Sequence, residues 1–263
     1  MRLLLIFVVL VLLLALSVVS NAQTVTLDYY FNRETHKDKQ GKDIRFHYLW
    51  SERSGSGFSI LGNAFKKQGF KLDSLETSPT LMDLKKSDVY LIVDPDTKKE
   101  ALKPNYIGTV DIGVISAWVK KGGVLVMFAN DSANVELPNF NKLADVFGMH
   151  FTSDIENHVI DDAHFSEGTI VIKDNPVFNT AGKIFMKDAC AITANGTTEP
   201  VLKNSNGATV IAYTKYGQDH VIAIADPWLY NEYVNGRLPK ELGIENDKAA
   251  DDLVSWIKKL TDK

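Results

Sequence analysis

Gly122-Gly-Val-Leu-Val-Met-Phe-Ala-Asn-Asp-Ser-Ala-Asn134 is the stretch on which the fold turns. An apolar run as long as one buried strand stops at small and polar residues, and apolar periodicity resumes from Phe140. The pattern predicts a strand, a turn and a helix. In an open α/β sheet, ligands bind beyond the carboxyl ends of the strands. Asn130, Asp131, Ser132 and Asn134 are therefore expected at a rim where a site belongs.

The same grammar extends outward. Upstream, Val89 to Val93 is a second apolar strand, stopped by Asp94-Pro95-Asp96, and Ile112, Ile115, Trp118 and Val119 mark a helix closed by Gly122-Gly123. Earlier still, Val25 to Tyr29 reads as a first strand, Asn32 to Lys42 as a charged, solvated loop, and Arg45 to Trp50 as a second strand or an extended arm. A Ser54-Gly-Ser-Gly57 turn leads into a helix carrying Phe58, Leu61 and Phe65, and Phe70 to Leu75 is a short strand. That turn either offers backbone N–H groups to an anion or a sugar hydroxyl or simply connects its neighbours. Alternation of strands with helices argues for an α/β chain with a mostly parallel sheet and helices on both faces.

Downstream the pattern becomes β-rich. Thr169 to Ile172 and Ala191 to Thr193 read as short strands. Ala208 to Tyr213 and His220 to Ala225 form a hairpin across Lys215-Tyr-Gly-Gln218. The second of these ends in Asp226-Pro-Trp-Leu-Tyr-Asn-Glu-Tyr233, and a final helix carries Ala250, Leu253, Val254, Ile257 and Leu260.

Residues 1–22 are read apart from the fold. Arg2, an apolar run from Leu3 to Val19 and the small-x-small triplet Ser20-Asn21-Ala22 have the form of a signal peptide cleaved after Ala22. A membrane anchor is the competing reading of the same run. Cleavage predicts a periplasmic or secreted chain, residues 23–263, forming one domain with no stable membrane insertion. The chain has 29 Lys+Arg and 33 Asp+Glu, and this acidic balance argues against nucleic acid as a partner. Cys190 is the only cysteine, so no internal disulfide and no cysteine-based zinc site can form. It reads as a packing residue. The chain contains no Walker loop, G-x-G-x-x-G, H-E-x-x-H or G-x-S-x-G, and the expectation is of no cofactor and no metal.

Three apolar strands thus end in polar clusters: Asp94 and Asp96; Asn130, Asp131 and Asn134; Asp226, Asn231 and Glu232. If they converge, the pooled carboxylates and amides can bind sugar hydroxyls or set up an acid/base pair, as glycoside hydrolysis requires. Each residue also has an ordinary structural use, because Asp and Asn cap helices and close turns. Trp228, Tyr230 and Tyr233 can stack on a sugar ring or seal a core. Arg45, His47 and Arg237 are candidate partners for a uronate carboxylate or for surface ion pairs.

Four motifs carry a resemblance: Tyr90-Leu-Ile-Val-Asp-Pro-Asp96, Trp118-Val-Lys-Lys-Gly-Gly-Val124, Asn130-Asp-Ser-Ala-Asn134 and Asp226-Pro-Trp-Leu-Tyr-Asn-Glu-Tyr233. Together they resemble an amidotransferase-like domain of uncharacterised function from Bacteroidetes. That domain is found alone or joined to unsaturated rhamnogalacturonyl hydrolases of glycoside hydrolase family 105. The resemblance implies a flavodoxin-like sheet of the class I glutamine amidotransferase type and a setting in pectin breakdown. It also implies a functional partnership with rhamnogalacturonyl hydrolases.

Glutamine hydrolysis is not expected, because the elbow corresponding to the amidotransferase nucleophile, Phe128 to Asn134, has no Cys. Two functions stay open. One is a binding or accessory module for rhamnogalacturonan-derived oligosaccharides, with Asp94, Asp96, Asn130, Asn134, Asp226, Trp228, Asn231 and Tyr233 contacting the ligand. The other is a glycoside hydrolase with Asp131 and Glu232 as its acid and base.

Overall fold

The computed structural model describes residues 22–262. Apart from Ala22, the leader read over residues 1–22 lies outside the described residues. The main sheet has seven strands: β1 (Thr24–Asp28), β2 (Lys71–Leu75), β3 (Val89–Val93), β4 (Val124–Phe128), β5 (Glu199–Lys203), β6 (Thr209–Tyr216) and β7 (Asp219–Ile224). Their spatial order is β5-β6-β7-β4-β3-β1-β2. Neighbours from β7 through β4, β3 and β1 to β2 pair in parallel, while β6 runs antiparallel to both β5 and β7. The sheet is mostly parallel, as the alternation of elements requires.

Every residue of β3 and β4 is buried. A strand reads as a continuous apolar run only when both of its faces are covered, and helices supply the cover. Helix α1 (Ser59–Lys67) packs against the C-terminal helix α6 (Asn246–Thr261), and the short α2 (Leu81–Leu84) packs against α3 (Thr109–Val119), the two groups covering opposite faces. Helix α4 (Leu137–Ala144) follows the β4 turn, and α5 (Asn231–Val234) follows β7. No helix among the described residues is long and apolar enough to cross a membrane.

The β-rich flank is two small antiparallel ribbons, 149–151 with 192–194 and 169–171 with 183–185. A third ribbon, 35–37 with 43–45, lies in the segment that follows β1. This corrects two expectations from sequence. Asn32 to Lys42 is not wholly a solvated loop, since Asn32 and Glu34 are buried. Arg45 to Trp50 is not a strand, because His47 and Tyr48 take left-handed backbone conformations with φ of +63° and +53°.

Strand β1 is followed in space by β2 on one side and by β3 on the other. In open α/β sheets such a reversal is the topological switch point, and the crevice beyond the carboxyl ends of the two strands, here β1 and β3, is the usual place for a ligand.

At the opposite end of the sheet, Gly123 precedes β4, and a Cβ there would stand 2.1 Å from the Trp118 ring. That ring is buried edge-on against Tyr90, with centroids 6.3 Å apart. Gly123→Ala is therefore expected to destabilise the protein by about 1–3 kcal/mol through overpacking, read as a lowered urea midpoint in tryptophan fluorescence.

Candidate functional site at the switch point

Asp28 closes β1 and is 3% exposed. Its Oδ1 accepts the N–H groups of Tyr30 (3.0 Å) and Phe31 (2.7 Å), and its Oδ2 accepts the Tyr90 hydroxyl at 2.5 Å. These bonds turn the chain sharply out of the strand. Burial pushes the Asp28 carboxyl up to about 7 even though Tyr90, Phe31 and Tyr30 all pull it down.

The chain beyond Asp28 is laced to the chain beyond β3. Asn32 donates through Nδ2 to the Asp94 carbonyl (2.8 Å), the Arg33 N–H donates to Asp96 Oδ2 (2.7 Å), and the Asp96 N–H donates to the Phe31 carbonyl (2.9 Å). The arm then doubles back. His47 Nδ1 meets Glu34 Oε1 at 2.5 Å, and the Tyr48 hydroxyl donates to Asp94 Oδ2 at 2.7 Å. Arg45 donates to Glu76 (3.0 Å) and to the Asn32 carbonyl (2.7 Å) and stacks over Tyr29. From β4, Asn130 Nδ2 donates to the same Asp94 Oδ2 at 3.0 Å.

The first two strand-end clusters therefore meet at Asp94. The third approaches through Tyr230, whose ring lies 5.7 Å from that of Tyr48 and whose hydroxyl stands 3.5 Å from Asp226 Oδ1.

Two features mark this crevice as more than a structural corner. Asp94 is left-handed, with φ of +46°, so three non-glycine residues in that conformation (His47, Tyr48 and Asp94) gather at one place. Such conformations cost on the order of 1–3 kcal/mol each and concentrate at functional sites. In addition, Asn32 Oδ1, Asp94 Oδ1 and Asp96 Oδ1 are buried without a hydrogen-bond donor. Buried polar atoms are normally paired. Burial also holds the Asp94 carboxyl well above the usual carboxylate range and that of Asp96 at about 7, with Glu34 and Glu100 adding repulsion at both. Glu100, also raised by burial, accepts the N–H and hydroxyl of Thr97.

The other residues expected at a site have visible structural duties. Asp131 accepts the Ala133 N–H (2.8 Å) and the Asn134 side-chain amide (2.6 Å), closing its own turn. Asn231 accepts the Ile60 N–H at 3.1 Å and donates to the Glu52 carbonyl at 2.9 Å, so it fixes the start of α1. Glu232 pairs with Arg237 at 3.0 Å, and Arg237 also reaches Asp162 at 2.9 Å. Glu232, Asn235, Arg237, Arg53 and Gly55 line a shallow groove of their own. Among the described residues no hydrogen bond joins Asp131 to Glu232.

Trp228 is 0% exposed and packs edge-on against Phe178, while Tyr233 packs on Phe185. Asp226 is buried, accepts the Lys187 N–H at 3.3 Å, and is held well above the usual range by burial. Cys190 is buried with its thiol on the Ala225 carbonyl at 3.3 Å, and burial pushes that thiol up, away from the reactive thiolate. Among the described residues no group of three or more His, Cys, Asp or Glu has a metal-holding arrangement.

Sequence reasoning overlooked Asn32, Glu34 and Tyr48. No sequence signal pointed to them, because the left-handed turn at His47 and Tyr48 that brings them in is not encoded by residue type.

A carboxyl raised by folding stabilises the native state below its unfolded value and loses that contribution as pH rises through its folded value. For Asp28 the window runs from 3.8 to about 7. Asp28→Asn should remove its own share of this decline, leaving those of Asp94, Asp96 and Asp226, which burial also raises. Urea midpoints measured at pH 5 and pH 8 should fall further in the native protein than in the variant.

No protein-family model matches the chain, and no curated protein matches it by sequence. Solved structures do. The mmIFT52 N-terminal domain matches with a TM-score of 0.66 at 12% identity, over 89% of this chain and 97% of that one. A β-galactosidase from Rahnella sp. R3 gives 0.53 at 13% identity, over 90% of this chain and 31% of that one. A glutamine amidotransferase from Thermotoga maritima gives 0.51 at 11% identity, over 91% of this chain and 99% of that one. At these identities the likeness concerns architecture, and the chain has an amidotransferase-like, flavodoxin-type α/β fold.

Proposed function

We propose that the chain is an exported, carbohydrate-associated protein that binds oligosaccharides at the switch point and serves as a binding or accessory module rather than a glutamine amidotransferase. The observation that carries this reading is the set of three buried oxygens without donors, on Asn32, Asp94 and Asp96. A sugar presents hydroxyl donors, and a buried acceptor left unmatched costs about 1–3 kcal/mol. Rhamnogalacturonan-derived oligosaccharides are the ligand class that the sequence motifs suggest, with rhamnogalacturonyl hydrolases as functional partners. An accessory role is in keeping with the occurrence of this fold over about a third of a β-galactosidase's length.

Thiol chemistry has little support, since the single thiol is buried and burial pushes it up, away from the thiolate. A glycoside hydrolase is the second reading. It draws on the Asp96 carboxyl, raised to about 7 and so able to exchange a proton near neutrality. In this reading Asp131 and Glu232 remain the proposed acid/base pair.

Calorimetry of residues 23–263 with rhamnogalacturonan oligosaccharides is expected to show binding, with no new product by mass. Asn32→Ala and Asp94→Asn should each weaken that binding about tenfold, the equivalent of about 1.4 kcal/mol. Product formation that disappears in Asp131→Asn or Glu232→Gln would establish the hydrolase instead. Absence of both binding and product would refute both readings.

A further inference from the structure

The arm that reaches the switch point carries a second feature two residues beyond Tyr48. Trp50 is half-buried and firmly held: its N–H donates to the Tyr29 hydroxyl at 2.6 Å, and its Nε1 donates to the Asp73 carbonyl at 2.9 Å. Its ring lies against Phe58 and Phe65, with centroids 6.4 and 6.1 Å away. Gly62 makes room for that ring on α1, since a Cβ there would stand 3.0 Å from Trp50 Cε3 and 2.9 Å from Leu72. Ser59, Asn63 and Lys66 follow one another along α1 at helical spacing, which puts them on one face of the helix. Together with Trp50 and Arg53 they line a groove of about 480 Å³, within the range of small-molecule sites.

The groove carries positive charge without a counter-charge. No carboxylate lines it. Among the described residues the side chains of Arg53 and Lys66 form no ion pair or hydrogen bond, whereas the adjacent Lys67 is paired with Asp251 at 3.1 Å. Nearby acids are occupied elsewhere: Glu52 accepts the Ser56 hydroxyl at 3.3 Å, and Asp73 accepts the Ser74 N–H at 2.9 Å. Arg53 also lines the neighbouring groove of Glu232, but Glu232 has Arg237 as its own cation at 3.0 Å.

Each part of this set selects a different part of a ligand. An indole offers a flat apolar surface to the C–H face of a pyranose, and amide and hydroxyl groups bond to its hydroxyls. A guanidinium forks a carboxylate and an ammonium adds a point charge. A neutral sugar would leave the cations unused, and a bare anion would leave the indole unused. Building on the carbohydrate reading above, we propose that this groove is the subsite for an acidic sugar, a uronate residue of the oligosaccharide. Trp50 lies against its ring, Asn63 meets its hydroxyls, and Arg53 and Lys66 take its carboxylate. The acceptors at the switch point take hydroxyls, so the two places read different groups of one ligand class. Because Trp50 is fixed before the ligand arrives, little ordering entropy is lost there on binding.

The test is calorimetry of the purified protein at pH 7 with trigalacturonate, galactotriose and sodium sulfate. Trigalacturonate should bind, galactotriose about tenfold more weakly or worse, and sulfate should not compete at equal concentration. Affinity for trigalacturonate should fall as sodium chloride is raised, because exposed charges are screened. Arg53→Gln and Lys66→Gln, both at exposed positions, should each cost about tenfold in affinity. Trigalacturonate should also change the tryptophan fluorescence, and Trp50→Phe, which keeps an aromatic ring against Phe58 and Phe65, should remove most of that change.

Equal affinity for trigalacturonate and galactotriose, displacement by sulfate, tighter binding of an oligothymidylate, or full affinity in the Arg53→Gln/Lys66→Gln double variant would each overturn it. If rhamnogalacturonan oligosaccharides bind and are weakened by Asn32→Ala but not by Arg53→Gln, the groove inference fails and the switch-point reading stands. If trigalacturonate binds through Arg53 and Lys66 while Asn32→Ala and Asp94→Asn change no oligosaccharide's affinity, the groove stands and the switch-point reading fails. Absence of binding by every sugar would overturn both.

Discussion

The structure depends on the burial of β3 and β4 on both faces. Apart from Tyr90, whose hydroxyl reaches Asp28, neither strand carries a polar side chain along its length, where it would be stranded in the core, so polarity is deferred to the strand ends. The parallel arrangement then aligns those ends. Asp28, Asp94, Asn130 and Asp226 follow four different strands and reach the same edge of the sheet. Because the edge is itself roofed by the arm after β1, these groups are desolvated rather than wetted. Desolvation is the first cause of the raised carboxyls of Asp28, Asp94, Asp96 and Asp226, and hydrogen bonds only partly offset it.

The roof is held by polar contacts at both of its ends and by no covalent clamp, the single cysteine having no partner. At one end Asn32 and Tyr48 fasten it to Asp94. At the other, the Asn231 and Glu232 N–H groups donate to the carbonyls of Gly57 and Gly55, while the Asn231 side chain spans Glu52 and α1. The segment after β7 thus works as a latch on the segment after β1. This gives Asn231 and Glu232 a use in holding the arm over the strand ends.

Much of the fold was legible from sequence because apolar runs and their punctuation are direct physical signals. Val89 to Val93, Val124 to Phe128 and the hairpin turning at Gly217 were all readable. Strand ends were readable too, which is why Asp94, Asp96 and Asn130 could be placed at the edge of the sheet. The arm was not, since Asn32 and Glu34 lie among charged residues without periodicity and their burial comes from tertiary contacts. Aromatic and amide residues misled in a different way. Trp228 and Asn231 are the right types for sugar recognition, but the first is sealed against Phe178 and the second is spent on a helix start.

The burial of Cys190 has a practical side. It is the sole thiol in the chain, it is fully enclosed, and it is hydrogen-bonded to the carbonyl of Ala225, the residue immediately before Asp226. An alkylating reagent can reach it only in molecules whose sheet edge has opened locally. The unmodified protein therefore carries a built-in chemical clock, and its labelling rate reads how often the floor beneath Asp226 breathes.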